Sequence, residues 1–262
     1  MNQTIITDIT QGLTTAFIDH TVSSNLAYRP QFVSNNYKEG RKVISSIEDE
    51  LLSCEQFAIS VAFITMSGIT PLLQTLKELE KRGIPGRILT TDYLTFSDPK
   101  ALRKLEEFSN LHVKMYVTYQ TEEGFHTKGY IFKKEEMYRI IVGSSNMTLS
   151  ALTVNREWNT RIVSTEQGEY AQSVLTEFED LWNSPQAIEF EQFIDSYTEN
   201  YTRNKIIRKQ KELARQEQIP SLEAYRLQPN SMQTGFINNL QKIYDAGEDK
   251  ALLISATGTG KT

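Results

Sequence analysis

Apolar residues recur at two spacings along the first 200 residues, and the two spacings alternate. Short, nearly continuous apolar runs predict buried strands over 57–65, 86–91, 111–118, 125–132, 138–143 and 157–164. Apolar residues three and four apart predict helices over 72–79, 99–108 and 170–182. The alternation of strands with helices predicts an α/β domain with a mainly parallel or mixed sheet, flanked by helices on both faces.

Helical spacing also characterises the regions before and after this core. Residues 2–20 and 43–52 predict two N-terminal helices, separated by a loop over 21–37. Ser184 and Pro185 suit the N-cap and first residue of a long helix. We interpret that helix as a connector that ends at Pro220.

The predicted connector changes from aromatic to basic, with cations between Arg203 and Arg215. These cations either contact phosphates or form a solvated helical face. After the connector, 232–244 predicts an amphipathic helix and 251–255 a final strand.

Composition narrows the possible function classes. The 262 residues are 39% hydrophobic and carry a net charge of -5, which argues against coating of nucleic acid by bulk charge. A local basic patch remains compatible with this sum. Cys54 has no second cysteine to pair with and lies among apolar residues, which predicts a buried reduced thiol. No apolar run reaches membrane-helix length, so we expect a cytoplasmic protein without a membrane partner.

Candidate chemistry concentrates in residues 126–146. Alternation along the strand predicted over 125–132 places His126 and Lys128 on one face, about 7 Å apart. The next apolar strand ends in the small polar sequence Gly-Ser-Ser-Asn at 143–146, which suits close approach to an anion. A histidine, a lysine and an amide that converge on one point are typical of a phosphoryl-transfer site.

The sequence FHTKGYIF, followed by IVGSSNMT, resembles the HxK...GSxN signature of the phospholipase D superfamily. The resemblance implies that His126 attacks phosphorus without a metal and forms a phosphohistidine. Lys128 and Asn146 would hold the phosphate, and Ser144 would be a lesser donor. Glu157 stands where the nuclease branch places a supporting glutamate, which would orient the imidazole.

Two departures from the superfamily pattern refine this expectation. Lys133 and Lys134 occupy the stretch in which the fuller motif has an aspartate, which weakens a phospholipase interpretation more than a nuclease one. The chain also has one such motif where the chemistry needs two, because no glycine-serine-asparagine turn follows His112 and His20 is predicted to lie in a loop. We therefore expect a homodimer in which two chains share one active site.

The C-terminal residues resemble a second family. SATGTGKT resembles motif I of superfamily 2 helicases, and LQPNSMQ resembles the helicase Q motif. The resemblance implies an ATP and Mg²⁺ site in a longer parent protein, of which this chain would be a piece without ATPase activity. The implied ATP-binding residues are Gln233, Gly258, Gly260, Lys261 and Thr262.

These patterns together predict four segments. They are an N-terminal helical extension (1–55), a phospholipase D-like domain (56–184), a helical connector (185–220) and the start of a RecA-like helicase domain (221–262). The wider sequence resembles bacterial and phage proteins that join a phospholipase D-like domain to a DEAD/DEAH-type helicase, which implies DNA processing, repair or defence.

The leading functional hypothesis is a metal-independent phosphodiesterase acting on DNA. Two alternatives stay open: a catalytically silent DNA-binding or dimerisation module that serves the helicase, and a phospholipase D-type lipid hydrolase. Tyr93, Trp158 and Trp182 could stack on bases. Neighbouring apolar residues instead favour core packing for Tyr93 and Trp182, and leave Trp158 undecided.

Overall fold

The structure is a computed structural model that describes residues 3–118, 124–217 and 231–250. The chain divides into two compact units, Met1–Ile207 and Arg208–Thr262. The first unit contains the whole sheet and the candidate site. In the second, the described residues form the end of one helix and a further helix.

Eight strands and nine α-helices are assigned within the described ranges, joined by turns and short 3₁₀ segments. The strands are β1 (Gln31–Val33), β2 (Gln56–Val61), β3 (Gly86–Thr91), β4 (Leu111–Tyr116), β5 (Lys128–Lys134), β6 (Met137–Gly143), β7 (Asn159–Thr165) and β8 (Ala187–Glu189). The helices are α1 (Gln3–Phe17), α2 (Val43–Ser53), α3 (Met66–Ile69), α4 (Leu73–Lys81), α5 (Pro99–Glu106), α6 (Leu149–Thr153), α7 (Glu169–Trp182), α8 (Phe190–Glu217) and α9 (Ser231–Asp245).

The strands form one mixed sheet in the order β1-β7-β6-β5-β2-β3-β4-β8. β2, β3 and β4 are parallel neighbours, because helices α4 and α5 return the chain between them. The remaining neighbours are antiparallel, including the central β2–β5 pair. The predicted mixed α/β fold is confirmed.

Helices cover both faces of this sheet. Tyr130 and Phe132 of β5 belong to a core cluster that also includes buried residues of α2, α4, α5 and the first turns of α8. Ile131, between them, points into a second cluster with Phe178 and Trp182 of α7. The predicted two-sided helical cover is therefore confirmed, and Cys54 is buried as a free thiol.

A charged cluster fastens α2 to the sheet. The carboxylate of Glu50, whose side chain is 5% exposed, accepts bonds from Arg139 Nη1 at 3.4 Å and Arg161 Nη1 at 3.0 Å. Arg161 Nη2 also donates to the carbonyls of Leu26 and Arg29, each at 3.2 Å. Burial lowers the pKa of Arg161, and the charge of Glu50 opposes that effect. The N-terminal segment is thus tied to the core by charge as well as by apolar packing.

Two strands were missed, and two strands, β5 and β7, begin later than predicted. β1 lies in the predicted loop, and β8 follows Ser184 and Pro185, where the helix was expected to start, so that α8 begins only at Phe190. Both missed strands are three residues long, too short for a period to show in the sequence. β5 begins at Lys128 rather than Phe125, because its partner β2 ends opposite it at Val61.

The remaining predictions differ from the structure in smaller ways or agree with it. β7 begins at Asn159, so Glu157 precedes the strand instead of starting it. Tyr93 is 40% exposed and the core prediction for it is wrong, whereas Trp182 is buried at 8% exposure. Helix α9 confirms the amphipathic segment predicted over 232–244. The predicted break at Pro220 and the predicted strand over 251–255 lie outside the described residues.

Within the part of the chain that the structure describes, no helix is both long enough and apolar enough to cross a lipid bilayer.

Candidate active site

The central feature of the site is the contact between His126 and Lys128. Lys128 is the first residue of β5, and His126 lies in the extended segment just before it, where the ladder with β2 has ended. Lys128 Nζ lies 2.5 Å from His126 Nδ1 and 2.9 Å from the carbonyl oxygen of His126. The predicted pair therefore meets directly, although His126 is not itself in a strand.

The turn after β6 is built from buried polar bonds. Ser145 is fully buried: its N–H donates to Asn159 Oδ1 at 3.2 Å, and its hydroxyl accepts from Asn159 Nδ2 at 2.9 Å. Tyr130 donates its hydroxyl to the Ser145 carbonyl at 3.0 Å. A Cβ on Gly143 would collide with the Trp158 carbonyl oxygen and with Asn159, so this position requires glycine. These contacts fix the two residues that flank Ser145.

The first flanking residue, Ser144, joins the turn to Glu157. The Ser144 hydroxyl donates to Glu157 Oε2 and accepts from the Trp158 N–H at 3.1 Å. The backbone N–H of Ser144 donates to the Trp158 carbonyl at 3.1 Å. Within the described residues no hydrogen bond joins Glu157 to His126, so the direct partner of this carboxylate is the serine.

The second flanking residue, Asn146, reaches the histidine through Phe63. Phe63 donates its backbone N–H to Asn146 Oδ1 at 3.1 Å. The Phe63 ring packs edge to face with the His126 imidazole, with centroids 6.0 Å apart. The amide group of Asn146 is therefore oriented by its oxygen, which leaves its Nδ2 donor directed elsewhere. No described residue accepts a bond from it.

The chain is similar to known proteins over the region that contains this arrangement. The family model described as "Cardiolipin synthase, PLD-like domain" matches residues 49–182, just over half of the chain. The chain belongs to this phospholipase D-like family. All the predicted catalytic residues lie within the matched region. No match was found among curated protein sequences.

Solved structures with related folds were also found. NucT from Helicobacter pylori is 15% identical with a TM-score of 0.49, and covers 62% of this chain and 99% of its own. Nuc from Salmonella typhimurium, a phospholipase D family member, is 18% identical with a TM-score of 0.47 and the same coverages. Phosphatidylserine synthase from Haemophilus influenzae is 15% identical with a TM-score of 0.48, and covers 71% of this chain and 46% of its own.

Charge and burial favour a neutral histidine in this phospholipase D-like site. Burial lowers the pKa of His126 from its ordinary value, and the adjacent Lys128 ammonium lowers it further. Burial also lowers the pKa of Lys128, which the negative charge of Glu157 opposes. Glu157 thus acts electrostatically on the lysine while it hydrogen-bonds the serine. A neutral imidazole next to a cation is the state that a nitrogen nucleophile requires.

The sequence also predicted an ATP and Mg²⁺ site, which is separate from the phospholipase D-like site. In the described ranges no group of three or more His, Cys, Asp or Glu residues is placed to hold a metal ion. The side chain of Gln233, and Gly258, Gly260, Lys261 and Thr262, lie outside the described residues. The expected ATP and Mg²⁺ site therefore stays a prediction from sequence.

Two residues of the site were missed in the sequence. Phe63 follows the apolar run of β2 and reads as one more core residue, yet it links His126 to Asn146. Asn159 is 2% exposed and holds both Ser145 and the Val33 carbonyl, to which its Nδ2 donates at 3.2 Å. An asparagine at the start of a predicted apolar strand was the available signal, since buried amides need partners.

Proposed function

We propose that the chain is a metal-independent phosphodiesterase that cleaves DNA through a covalent phosphohistidine on His126. The observation that carries the proposal is the contact of the Lys128 ammonium with the His126 imidazole. This contact lies within a polar arrangement that also contains Asn146, Ser144 and Glu157. Such a set can bind an anionic ester and attack it without help from a metal.

The first step follows from the position of Lys128. The contact at Nδ1 suits the tautomer in which that nitrogen accepts and Nε2 carries the proton. When a phosphate takes the ammonium, Nδ1 is released and takes up a proton from water, while Nε2 gives its proton to water and gains a free lone pair. Nε2 then attacks phosphorus, the Nε2–P bond forms and the P–O ester bond breaks. Lys128 and Asn146 offset charge on the non-bridging oxygens.

The leaving oxygen needs a proton, and a second histidine, which enters the reaction as the protonated imidazolium, supplies it in this proposal. We assign that role to His126 of a second copy, because neither His20 nor His112 lies in the same arrangement of residues. Water then attacks phosphorus, the Nε2–P bond breaks, and the second histidine takes the proton back. Each copy thus contributes one motif to a site shared across a twofold axis.

The role of Glu157 is the part of the proposal that the contacts modify most. Glu157 was predicted to orient the imidazole, whereas its hydrogen bond goes to Ser144 and its charge acts on Lys128. We therefore assign it the positioning of the serine donor and of the ammonium. Orientation of the imidazole is then left to the edge of Phe63 and to Lys128 itself.

DNA is the proposed substrate because of the sequence that follows the domain. Residues 227–233 and 255–262 resemble helicase motifs, and a helicase partner favours nucleic acid. We retain the predicted segments 1–55, 56–184, 185–220 and 221–262 as the domain proposal. A lipid phosphodiester is the second candidate, favoured by the description of the matching family model.

The test is cleavage of supercoiled plasmid and of single-stranded DNA in EDTA, by the wild-type chain and by His126→Ala. The matched control is His112→Ala, since His112 is exposed and also precedes a lysine by two residues. The proposal predicts EDTA-resistant cleavage that His126→Ala abolishes and His112→Ala retains. Phospholipid vesicles assayed in parallel decide between the two candidate substrates.

Two results would reject the proposal. Turnover of lipid without cleavage of DNA would favour the second candidate. DNA binding without cleavage by any variant would instead favour the catalytically silent module.

A further inference from the structure

A cleft of about 990 Å³ opens directly beside the candidate site, between residues 32–42 and 153–158. Glu157 lines it and also accepts the hydroxyl of Ser144, so the cleft and the site share a residue. The segment 32–42 precedes residue 49, where the match to the phospholipase D-like family begins. The cleft is therefore formed in part by sequence outside the family match.

Three aromatic side chains line this cleft and are exposed to an unusual degree. Tyr37 is 99% exposed, Trp158 is 74% exposed and Phe32 is 60% exposed. Phe32 and Trp158 pack edge to face with centroids 5.7 Å apart, which leaves their outer faces open. Large aromatic surfaces left in water mark a site that binds a flat apolar group.

The charge of the cleft is positive although the chain as a whole is negative. Lys38, Lys42 and Arg156 line it, and none of them forms an ion pair with another described residue. Arg41 also lines it and pairs with Glu39 at 3.2 Å, in an exposed contact of little energetic weight. Cations interleaved with exposed aromatic rings are the combination that binds single-stranded nucleic acid.

The backbone that carries these groups is well fixed. Asn35 Nδ2 donates to the carbonyls of Ala151 at 2.8 Å and Asn155 at 2.7 Å, and Asn35 Oδ1 accepts from the Val43 N–H at 2.9 Å. Asn36 and Arg41 exchange two backbone bonds across the loop, at 2.9 and 3.1 Å. The loop therefore presents its side chains from a preformed support, which lowers the entropic cost of binding.

We infer that this cleft binds a single-stranded segment of DNA and leads its backbone to His126. Bases stack on Tyr37 and Trp158, while Lys38, Lys42 and Arg156 contact phosphates. The inference rests on the proposed function and adds a strand preference to it. A duplex is excluded from this mode because its bases are stacked on one another and present no free face.

The test measures binding apart from cleavage. All variants are made in the His126→Ala background, in EDTA, and are titrated with a fluorescent oligo-dT and with a duplex of equal length. The cleft variants are Tyr37→Ala and the pair Lys38→Glu with Lys42→Glu. Their matched controls are Tyr244→Ala, which removes a 77% exposed aromatic, and Lys77→Glu with Lys81→Glu, two exposed lysines with the same spacing.

The inference predicts that Tyr37→Ala weakens binding of oligo-dT about five- to tenfold through lost stacking. It predicts that the double charge reversal weakens it roughly tenfold or more and reduces the salt dependence. Both controls stay within about twofold of the parent. Oligo-dT should also quench tryptophan fluorescence through the exposed Trp158, since the second tryptophan, Trp182, is buried.

Several results would overturn the inference: no binding of oligo-dT, equal binding of the duplex, or cleft variants that bind like the controls. Sedimentation of Tyr37→Ala provides a further check, because loss of a dimer would show that the cleft seats a second copy instead. Failure of the proposed function looks different. In that case the wild-type chain binds oligo-dT through the cleft but cleaves nothing.

Discussion

Two groups of charged and polar residues lie against this sheet, and they differ in how their charges are paired. Around Glu50, one buried carboxylate faces two arginines, Arg139 and Arg161. Around His126, by contrast, the Lys128 ammonium faces an imidazole, and the nearby carboxylate of Glu157 is bonded to Ser144. The first group pairs opposite charges within the protein, whereas the second holds a cation to which no anion is bonded in the part of the chain that the structure describes.

The difference separates a structural role from a catalytic one. A buried carboxylate between two arginines has its partners, and its removal leaves buried cations without compensation. A half-exposed lysine and an amide donor that has no acceptor among the described residues are placed to receive an anion from outside. The two groups should therefore respond in opposite ways to substitution, one in stability and the other in activity.

The largest effect is expected at the buried group. Glu50→Ala should lower the free energy of unfolding by about 3–5 kcal/mol, because two buried guanidinium groups lose their counter-charge. Urea denaturation followed by circular dichroism measures the change. The control Glu179→Ala removes the partner of Arg87 in a more exposed pair and should cost about 1 kcal/mol or less. Equal losses in the two variants would contradict the structural role of the Glu50 cluster.

The next effect concerns activity. Lys128→Met should lower kcat/KM for DNA cleavage by about 10²–10³-fold, since one preorganised cationic donor to the phosphate is lost. The unfolding midpoint in urea should change little, because Lys128 is only half-buried and forms no ion pair with another residue that the structure describes. Lys114→Met, which removes the lysine of the other His-x-Lys sequence, is the control. If Lys128→Met lost stability in proportion to activity, the role of Lys128 would be structural and not catalytic.

A smaller effect is expected from a single methyl group in the turn. Gly143→Ala should destabilise the fold by about 1–3 kcal/mol, because its Cβ has no space beside Trp158 and Asn159. Gly129→Ala is the control, since a Cβ there meets nothing within 4 Å. Thermal unfolding of both variants measures the difference. If Gly143→Ala were as stable as Gly129→Ala, the close packing of the turn would be wrong.

The smallest effect is a shift in titration. The pKa of His126 should lie below its ordinary value of 6.5, so the neutral, nucleophilic imidazole persists to lower pH than in an unperturbed histidine. Lys128→Met should raise this pKa part of the way back, because the repulsion is removed while the burial remains. NMR titration of the imidazole checks both statements. A pKa above 6.5 in the wild-type chain, or a fall in the variant, would contradict them.

The two groups also differ in how much of their structure could be predicted from the sequence. The central strands and helices were predictable because long apolar runs and helical periods fix which residues are buried. The motif at His126, Lys128, Ser144 and Asn146 was predictable because its residues lie close together in the sequence. The position of His126 outside a strand was harder to predict, because the start of β5 depends on where β2 ends.

Contacts between distant segments could not be predicted. β1 is three residues long, and only its pairing with β7 places Phe32 next to Trp158. Phe63 gains its role from a neighbour more than sixty positions away in the chain. The family resemblance implied that Glu157 orients the imidazole, whereas its place before β7 gives it Ser144 as a hydrogen-bond partner. Such pairings depend on topology, which no local pattern encodes.

The central claim is that His126 becomes covalently bound to phosphorus, and stereochemistry tests it most directly. A DNA strand with one phosphorothioate linkage of a single configuration is cleaved in EDTA in ¹⁸O-labelled water, and the configuration of the product is determined. Two successive in-line displacements, first by His126 and then by water, predict net retention at phosphorus. Net inversion would show a single direct attack by water and would contradict the account.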